Sequence, residues 1–184
     1  CARLTNPRSP PAAQLGAEVS SDIPKTLSRA RVVLSATSSG GCIDQKWLRP
    51  GSLVSDVGVP TDILGSRPTR SDCLILTGGL SGVPETMSMD SMYLWFHGGA
   101  MPSCLAETMV LALDDRPECL SLGRNLDPVR IEEIGQRAEA HGLTFSSMYS
   151  FGLPLEESAL VRYRKAIARH AGGSNHRANG RKPT

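Results

Sequence analysis

Cys104 stands in the run Met101-Pro102-Ser103-Cys104-Leu105-Ala106-Glu107-Thr108-Met109. Proline followed by serine is a helix-opening pair, so the thiol falls in a first helical turn. There the unpaired backbone N–H groups and the helix dipole favour an anion, and the thiolate is the nucleophilic form of cysteine. Glu107, three residues on, projects from the same face of such a helix. His97, ahead of Gly98-Gly99, is a candidate proton donor on a flexible approach to it. The competing reading of Cys104 is a buried small hydrophobe, which is what most free cysteines are.

The other side chains of this kind are less suggestive. The five cysteines are Cys1, Cys42, Cys73, Cys104 and Cys119, widely spaced with no C-x-x-C pair. That pattern is neither a disulfide framework nor a zinc site, so no metal is expected and a reducing cytoplasm fits best. Cys73 reads as mid-strand and Cys119 follows the Arg116-Pro117 turn, both structural positions, while Cys42 borders a polar loop. His141 sits at a helix end, where capping accounts for it. His170 and His176 belong to the basic tail. The pairs Gly40-Gly41, Gly78-Gly79 and Gly98-Gly99 lack the G-x-G-x-x-G spacing of a phosphate loop and by themselves indicate turns.

Elements must position these residues. Residues 30–36 are a short apolar, β-branched run ending in Thr37-Ser38-Ser39-Gly40-Gly41, the pattern of a buried strand entering a polar loop. Residues 52–57 repeat it and end at Gly58-Val59-Pro60, and residues 72–77 end at Gly78-Gly79. Continuous rather than alternating apolarity predicts a parallel sheet covered on both faces. The carboxyl edge of such a sheet is where nucleotides bind. Residues 5–17 read as loop with a short helix near 12–15, and residues 80–100 as an irregular, methionine-rich stretch that packs as core or lid. Helices are predicted over 102–113, with Leu105, Met109 and Ala112 on one face, and over 128–140. The second carries Asp127 as N-cap, Ile131, Ile134 and Ala138 as its buried stripe, and Gly142 as its stop. A third helix is predicted over 154–170. The fold class is α/β, an incomplete Rossmann-like parallel sheet followed by C-terminal helices. Residues 1–100 read as a partial nucleotide-binding domain, 101–171 as a helical part carrying Cys104, and 172–184 as a disordered basic tail.

Composition narrows the function classes. The chain has 184 residues, 40% hydrophobic and 21% charged, enough to build a core. Aromatics at 4% argue against a stacking surface for single-stranded nucleic acid. Of the 20 basic residues, seven lie from Arg162 onward with no acid among them, leaving thirteen against 18 acids elsewhere. A basic tail can touch phosphates, but a solvated tail is commoner. No apolar stretch is long enough to span a bilayer, and no signal peptide is apparent. The chain opens at Cys1 as if inside a fold.

Taken in order, four blocks resemble the second half of the aldehyde-forming long-chain acyl–acyl carrier protein reductases. They are Leu76-Thr77-Gly78-Gly79, residues 102–109, Leu120-Ser121-Leu122-Gly123-Arg124-Asn125, and residues 131–142. The resemblance runs from about Arg3 to Leu143. In that family a cysteine preceding a Phe/Leu-Ala-Glu segment accepts the acyl group, and Cys104 occupies its position. The resemblance implies a Rossmann-like domain using NADPH, with Ala36, Thr37, Ser38, Asp56, Gly58, Gly78 and Gly79 at the cofactor edge. Arg3 is the candidate partner of the 2′-phosphate. The family's first strand and glycine-rich loop would lie upstream of Cys1, so the isolated chain is expected to bind NADPH weakly or not at all.

The resemblance therefore implies NADPH-dependent reduction of a fatty acyl thioester to an aldehyde through a Cys104 acyl-enzyme. The implied partners are an acyl carrier protein or acyl-CoA and an aldehyde-consuming enzyme, in the cytoplasm, with no nucleic acid or membrane span. Two alternatives stand beside it. One is an NADP oxidoreductase of the shikimate dehydrogenase or glutamyl-tRNA reductase type. The other is an inactive, truncated interaction fragment.

Overall fold

The computed structural model describes residues 18–85, 87, 99–118, 120 and 127–174. They fall into two compact units, one of Cys1–Leu76 with Glu156–Thr184, the other of Thr77–Leu155. The readings made for residues 1–17, 86, 88–98, 119, 121–126 and 175–184, Cys119 among them, lie outside the described residues.

In the first unit, Asp22 caps a short helix, α1 (Ile23–Leu27), its Oδ1 accepting from the Lys25 N–H at 3.1 Å. The β-branched run then forms β1 (Val32–Ser35), which pairs in parallel with β2 (Leu53–Asp56) from Val32↔Leu53 to Ser35↔Asp56. Next in strand order is β3 (Leu74–Thr77), whose Leu74 N–H donates to Ser52 O at 3.0 Å. Leu27, Ile43, Leu48, Val54, Ile63 and Leu74 form the buried apolar interior of this unit.

The expectation of a sheet covered on both faces holds only in part. Val54 and Asp56 of β2 are buried, but Val32 and Leu34 of β1 are 72% and 73% exposed. These two residues share one face by the two-residue strand period, and β1 ends the strand order, so that face has no covering layer among the described residues.

The last helix of the chain, α4 (Glu157–Ser174), belongs to this first unit. It starts after the predicted position because Leu153–Pro154 forms a strand. Ala166 is buried, and the Tyr163 hydroxyl donates to Gly51 O at 3.2 Å. Burial pushes the Tyr163 phenol above its ordinary pKa.

The second unit contains short antiparallel strands that periodicity did not reveal. A three-stranded sheet has the order Ala100–Pro102, Leu80–Gly82, Thr144–Phe145, here β5, β4 and β6. Thr77 pairs with Tyr149 of β7 (Tyr149–Ser150), which turns through Phe151 and Gly152, both at positive φ, into β8 (Leu153–Pro154). Two- and three-residue strands are too short to show a period of two, so the sequence pattern missed them.

Two helices complete this unit. The first, α2 (Ser103–Leu113), buries Ala106 and Val110 on one side, and with Met101 and Leu143 they form the core. Full burial of a side chain such as Val110 or Met101 is worth about 1.5–3 kcal/mol each. The second, α3 (Pro128–Ala140), has the predicted bounds, with Asp127 Oδ1 accepting from Val129 N–H at 3.0 Å and Gly142 beyond its end at φ +80°. Ile134 and Ala138 pack on the core, but Ile131 is 44% exposed, so the predicted stripe is one residue too wide. Polar contacts also hold the two helices together: Asp114 accepts from Arg137 Nη1 at 2.7 Å and lies 2.7 Å from His141 Nε2. His141 is thus the C-cap of α3 and also a hydrogen-bond partner of Asp114, which spacing alone did not show.

No helix among the described residues is long and apolar enough to cross a membrane.

Candidate active site

Cys104 is the second residue of α2 and is exposed. The alternative of a buried small hydrophobe is therefore excluded for it. Cys73, by contrast, is buried, taking a hydrogen bond from Ser52 Oγ at 3.6 Å and giving one to Arg49 O at 3.3 Å, as a structural cysteine should. The helix in front of Cys104 opens without a side-chain cap, since Pro102 occupies the N-cap position. What anchors it is the preceding glycine turn. Ser103 N–H donates to Gly79 O at 2.8 Å, and the Ser81 and Ser103 hydroxyls are 2.9 Å apart. Gly79 takes φ +70°, a conformation that L side chains avoid.

The structure thus divides the predicted site residues between the two units. Gly78 and Gly79 join Cys104 and Glu107 in the second. Glu107 is half-buried on the same helix as Cys104 and is engaged in interactions of its own. Ala36, Thr37, Ser38, Asp56 and Gly58 lie in the first unit, at the carboxyl ends of β1 and β2. Arg3 and His97 lie outside the described residues.

The first-unit residues form one polar network. Asp56 is buried, and both its oxygens accept backbone N–H groups: Gly58 at 3.0 Å, Asp62 at 2.8 Å and Ile63 at 3.1 Å. Its carboxylate therefore holds residues 58–63 in place. Thr37 is turned inward as well, its hydroxyl donating to Asp62 Oδ1 and its N–H to Asp62 Oδ2 at 2.9 Å. Ser35 Oγ donates to the same oxygen at 2.5 Å. Burial works to raise the Asp62 pKa, but these bonds from Ser35 and Thr37, with one from Cys42, outweigh it and hold the carboxyl below its ordinary range.

The residues left facing outward at this edge are Ala36, Ser38 and Ser39, next to Gly40 and Gly41 at φ +63° and +59°. An exposed, hydroxyl-rich loop at the carboxyl end of parallel strands fits a nucleotide. The fit rests on residues 36–41; Asp56 and the Thr37 hydroxyl are committed to the chain itself. Asp62 is the member that the sequence reading missed. Its partners Ser35 and Thr37 lie 27 and 25 residues away, so no local pattern marked it.

No family model matches the chain. Over 140 residues, 74% of the chain, it is 36% identical to a protein of Serratia sp. (strain ATCC 39006) named aminotransferase PigE. The chain spans 16% of that protein's length.

Proposed function

We propose that this chain carries part of an NADPH-dependent acyl thioester reductase that forms an aldehyde, with Cys104 as its acyl-accepting nucleophile. The observation that supports it is the exposed thiol in the first turn of a helix with no side-chain cap. The Cys104 sulfur attacks the thioester carbonyl of an acyl carrier or acyl-CoA. The carbon–sulfur bond to the carrier breaks, the carrier leaves as a thiol, and the acyl group stays on Cys104. Backbone amides at the start of α2 stabilise the negative charge on the carbonyl oxygen during attack. Glu107 orients the helix or a proton-bearing water. NADPH, when bound, supplies the hydride for reduction of that acyl group. The resulting hemithioacetal on Cys104 collapses to the aldehyde and frees the thiol.

The name of the similar Serratia protein fits this reading through its chemistry. Aminotransferases use carbonyl compounds as amino acceptors, and an aldehyde from a reductase is such a compound. Among the described residues Lys25, Lys46 and Lys165 are all exposed. A Schiff-base lysine is instead desolvated or set beside another cation.

The test is Cys104→Ala in the full-length protein, incubated with a long-chain acyl thioester and NADPH. Mass spectrometry should show the acyl adduct on the wild-type chain and none on the variant, and aldehyde production should cease with it. Aldehyde formation at near wild-type rate by the variant would remove Cys104 from the mechanism.

A further inference from the structure

We propose that Asp62 is a positioning residue for the nucleotide edge, one that sets the shape of residues 36–41 through Thr37. This inference rests on the reading of that edge as the cofactor site.

Asp62 is 0% exposed, yet it carries a carboxylate in a unit built mostly of apolar side chains. A buried acid survives only where its oxygens are satisfied. Here the partners come from the β1 side: Ser35 Oγ, Thr37 N–H, Thr37 Oγ1 and the Cys42 thiol. Asp62 itself sits after β2, so it ties the loop following one parallel strand to the loop following its neighbour. Backbone bonds run alongside, from Gly41 N–H to Thr61 O and from Ile43 N–H to Asp62 O, both at 2.9 Å.

The direction of these bonds matters. An ionised carboxylate is an acceptor only, so the Thr37 hydroxyl must give its proton to Asp62. Its lone pairs are then free to accept, and Ser39 N–H donates to Thr37 Oγ1 at 3.3 Å. Asp62 thus acts on the outward loop by relay: carboxylate, threonine hydroxyl, Ser39 amide. A Cβ at Gly58 would sit 2.8 Å from Asp62 Oδ2, so the chain keeps a glycine where the carboxylate passes closest to the backbone.

The consequence concerns binding rather than chemistry. If loss of Asp62 lets residues 36–41 hold their bound shape only about a tenth of the time, apparent nucleotide affinity falls about tenfold. Cys104 stands in the other unit and should keep its reactivity towards acyl thioester.

The test compares Asp62→Ala and Asp62→Asn in the full-length protein, with three readouts: NADPH Kd, kcat against KM for NADPH, and acylation of Cys104. Asparagine can place its oxygen toward Ser35 Oγ and Thr37 N–H and its amide toward Thr37 Oγ1, so it should restore most of the network. The expected pattern is a NADPH Kd and KM raised about tenfold in the alanine variant. Asparagine should largely rescue both, with kcat and acylation near wild type. Equal nucleotide affinity in the alanine variant and wild type overturns the positioning role alone. So does an asparagine variant no better than alanine. A wild-type protein that binds no NADPH overturns the functional reading itself. Thr37→Val, which keeps the side-chain volume and breaks the relay, gives the same decision where Asp62→Ala does not fold: unchanged affinity there also rejects the proposal.

Discussion

Asp56→Asn offers the sharpest check on how the β2 edge is built. Asp56 Oδ2 accepts from Asp62 N–H and Ile63 N–H, and Oδ1 from Gly58 N–H. Asparagine is nearly the same size but can replace only one of the two oxygens. With its oxygen in the Oδ2 position two bonds survive, stripped of charge assistance, while the amide nitrogen faces the Gly58 N–H. That leaves a buried donor unsatisfied, which costs about 1–3 kcal/mol, and weakening the two retained bonds adds about 1 kcal/mol. The variant should therefore lose about 2–4 kcal/mol. In urea, with a slope of about 2 kcal/mol/M, the midpoint should fall by about 1–2 M with the slope unchanged. The measurement is made without nucleotide. That condition separates the geometry seen here from the sequence expectation of a cofactor contact. A carboxylate reserved for ligand would leave the unliganded midpoint in place and weaken only binding. An unchanged midpoint with weaker NADPH binding would refute the loop-building role of Asp56.

Two further predictions concern the same unit. Gly58→Ala should destabilise by about 1–3 kcal/mol through overpacking, because the added methyl meets a carboxylate that its own hydrogen bonds hold still; a wild-type denaturation midpoint would mean that Asp62 is free to shift. Stability should also fall in acid. The Arg70 hydrogen bond holds the Asp72 carboxyl below its ordinary value of 3.8, with burial opposing, and Asp62 is depressed against burial by its own bonds. A carboxylate whose folded pKa is lowered contributes its stability above the unfolded value and loses it as pH falls through the folded one. Thermal midpoints should thus hold steady from neutral pH to about 4 and drop below it, more gently in Asp72→Asn. A midpoint independent of pH down to about 2.5 would contradict those shifts.

What the sequence disclosed depended on whether the signal was local. The bounds of α3 were legible because Asp127, Pro128 and Gly142 all act within a turn of its ends. The strands β1, β2 and β3 were recognisable by their apolar cores, though each is shorter than its apolar run. The partners that complete the rest lie far along the chain. Thr77 pairs with Tyr149, and Asp114 meets Arg137 and His141. No window of neighbouring residues contains such a pair. The same limit hid Asp62, whose partners Ser35 and Thr37 are 27 and 25 residues away. It also concealed the open face of β1: an apolar strand reads alike whether covered or bare, and Val32 and Leu34 are bare here.

This distinction bears on how the candidate site should be understood. Residue type and helix position singled out Cys104, and exposure of its thiol is what the nucleophile role requires. Residue type also singled out Thr37 and Asp56, but there the structure turns the functional groups away from any ligand and into the chain. A polar residue at the carboxyl end of a strand has two uses, contacting the ligand or shaping the loop that does. Hydrogen-bond direction separates them, because an acid whose oxygens both accept backbone amides has little left to offer a nucleotide. By that criterion the edge proposed for a nucleotide has an outer layer, residues 36 and 38–41, and an inner layer of half-buried Thr37 with buried Ser35, Asp56 and Asp62. Thiol and edge belong to different units. The acyl-accepting role proposed for Cys104 and the nucleotide-binding role proposed for residues 36–41 can therefore be tested by separate substitutions.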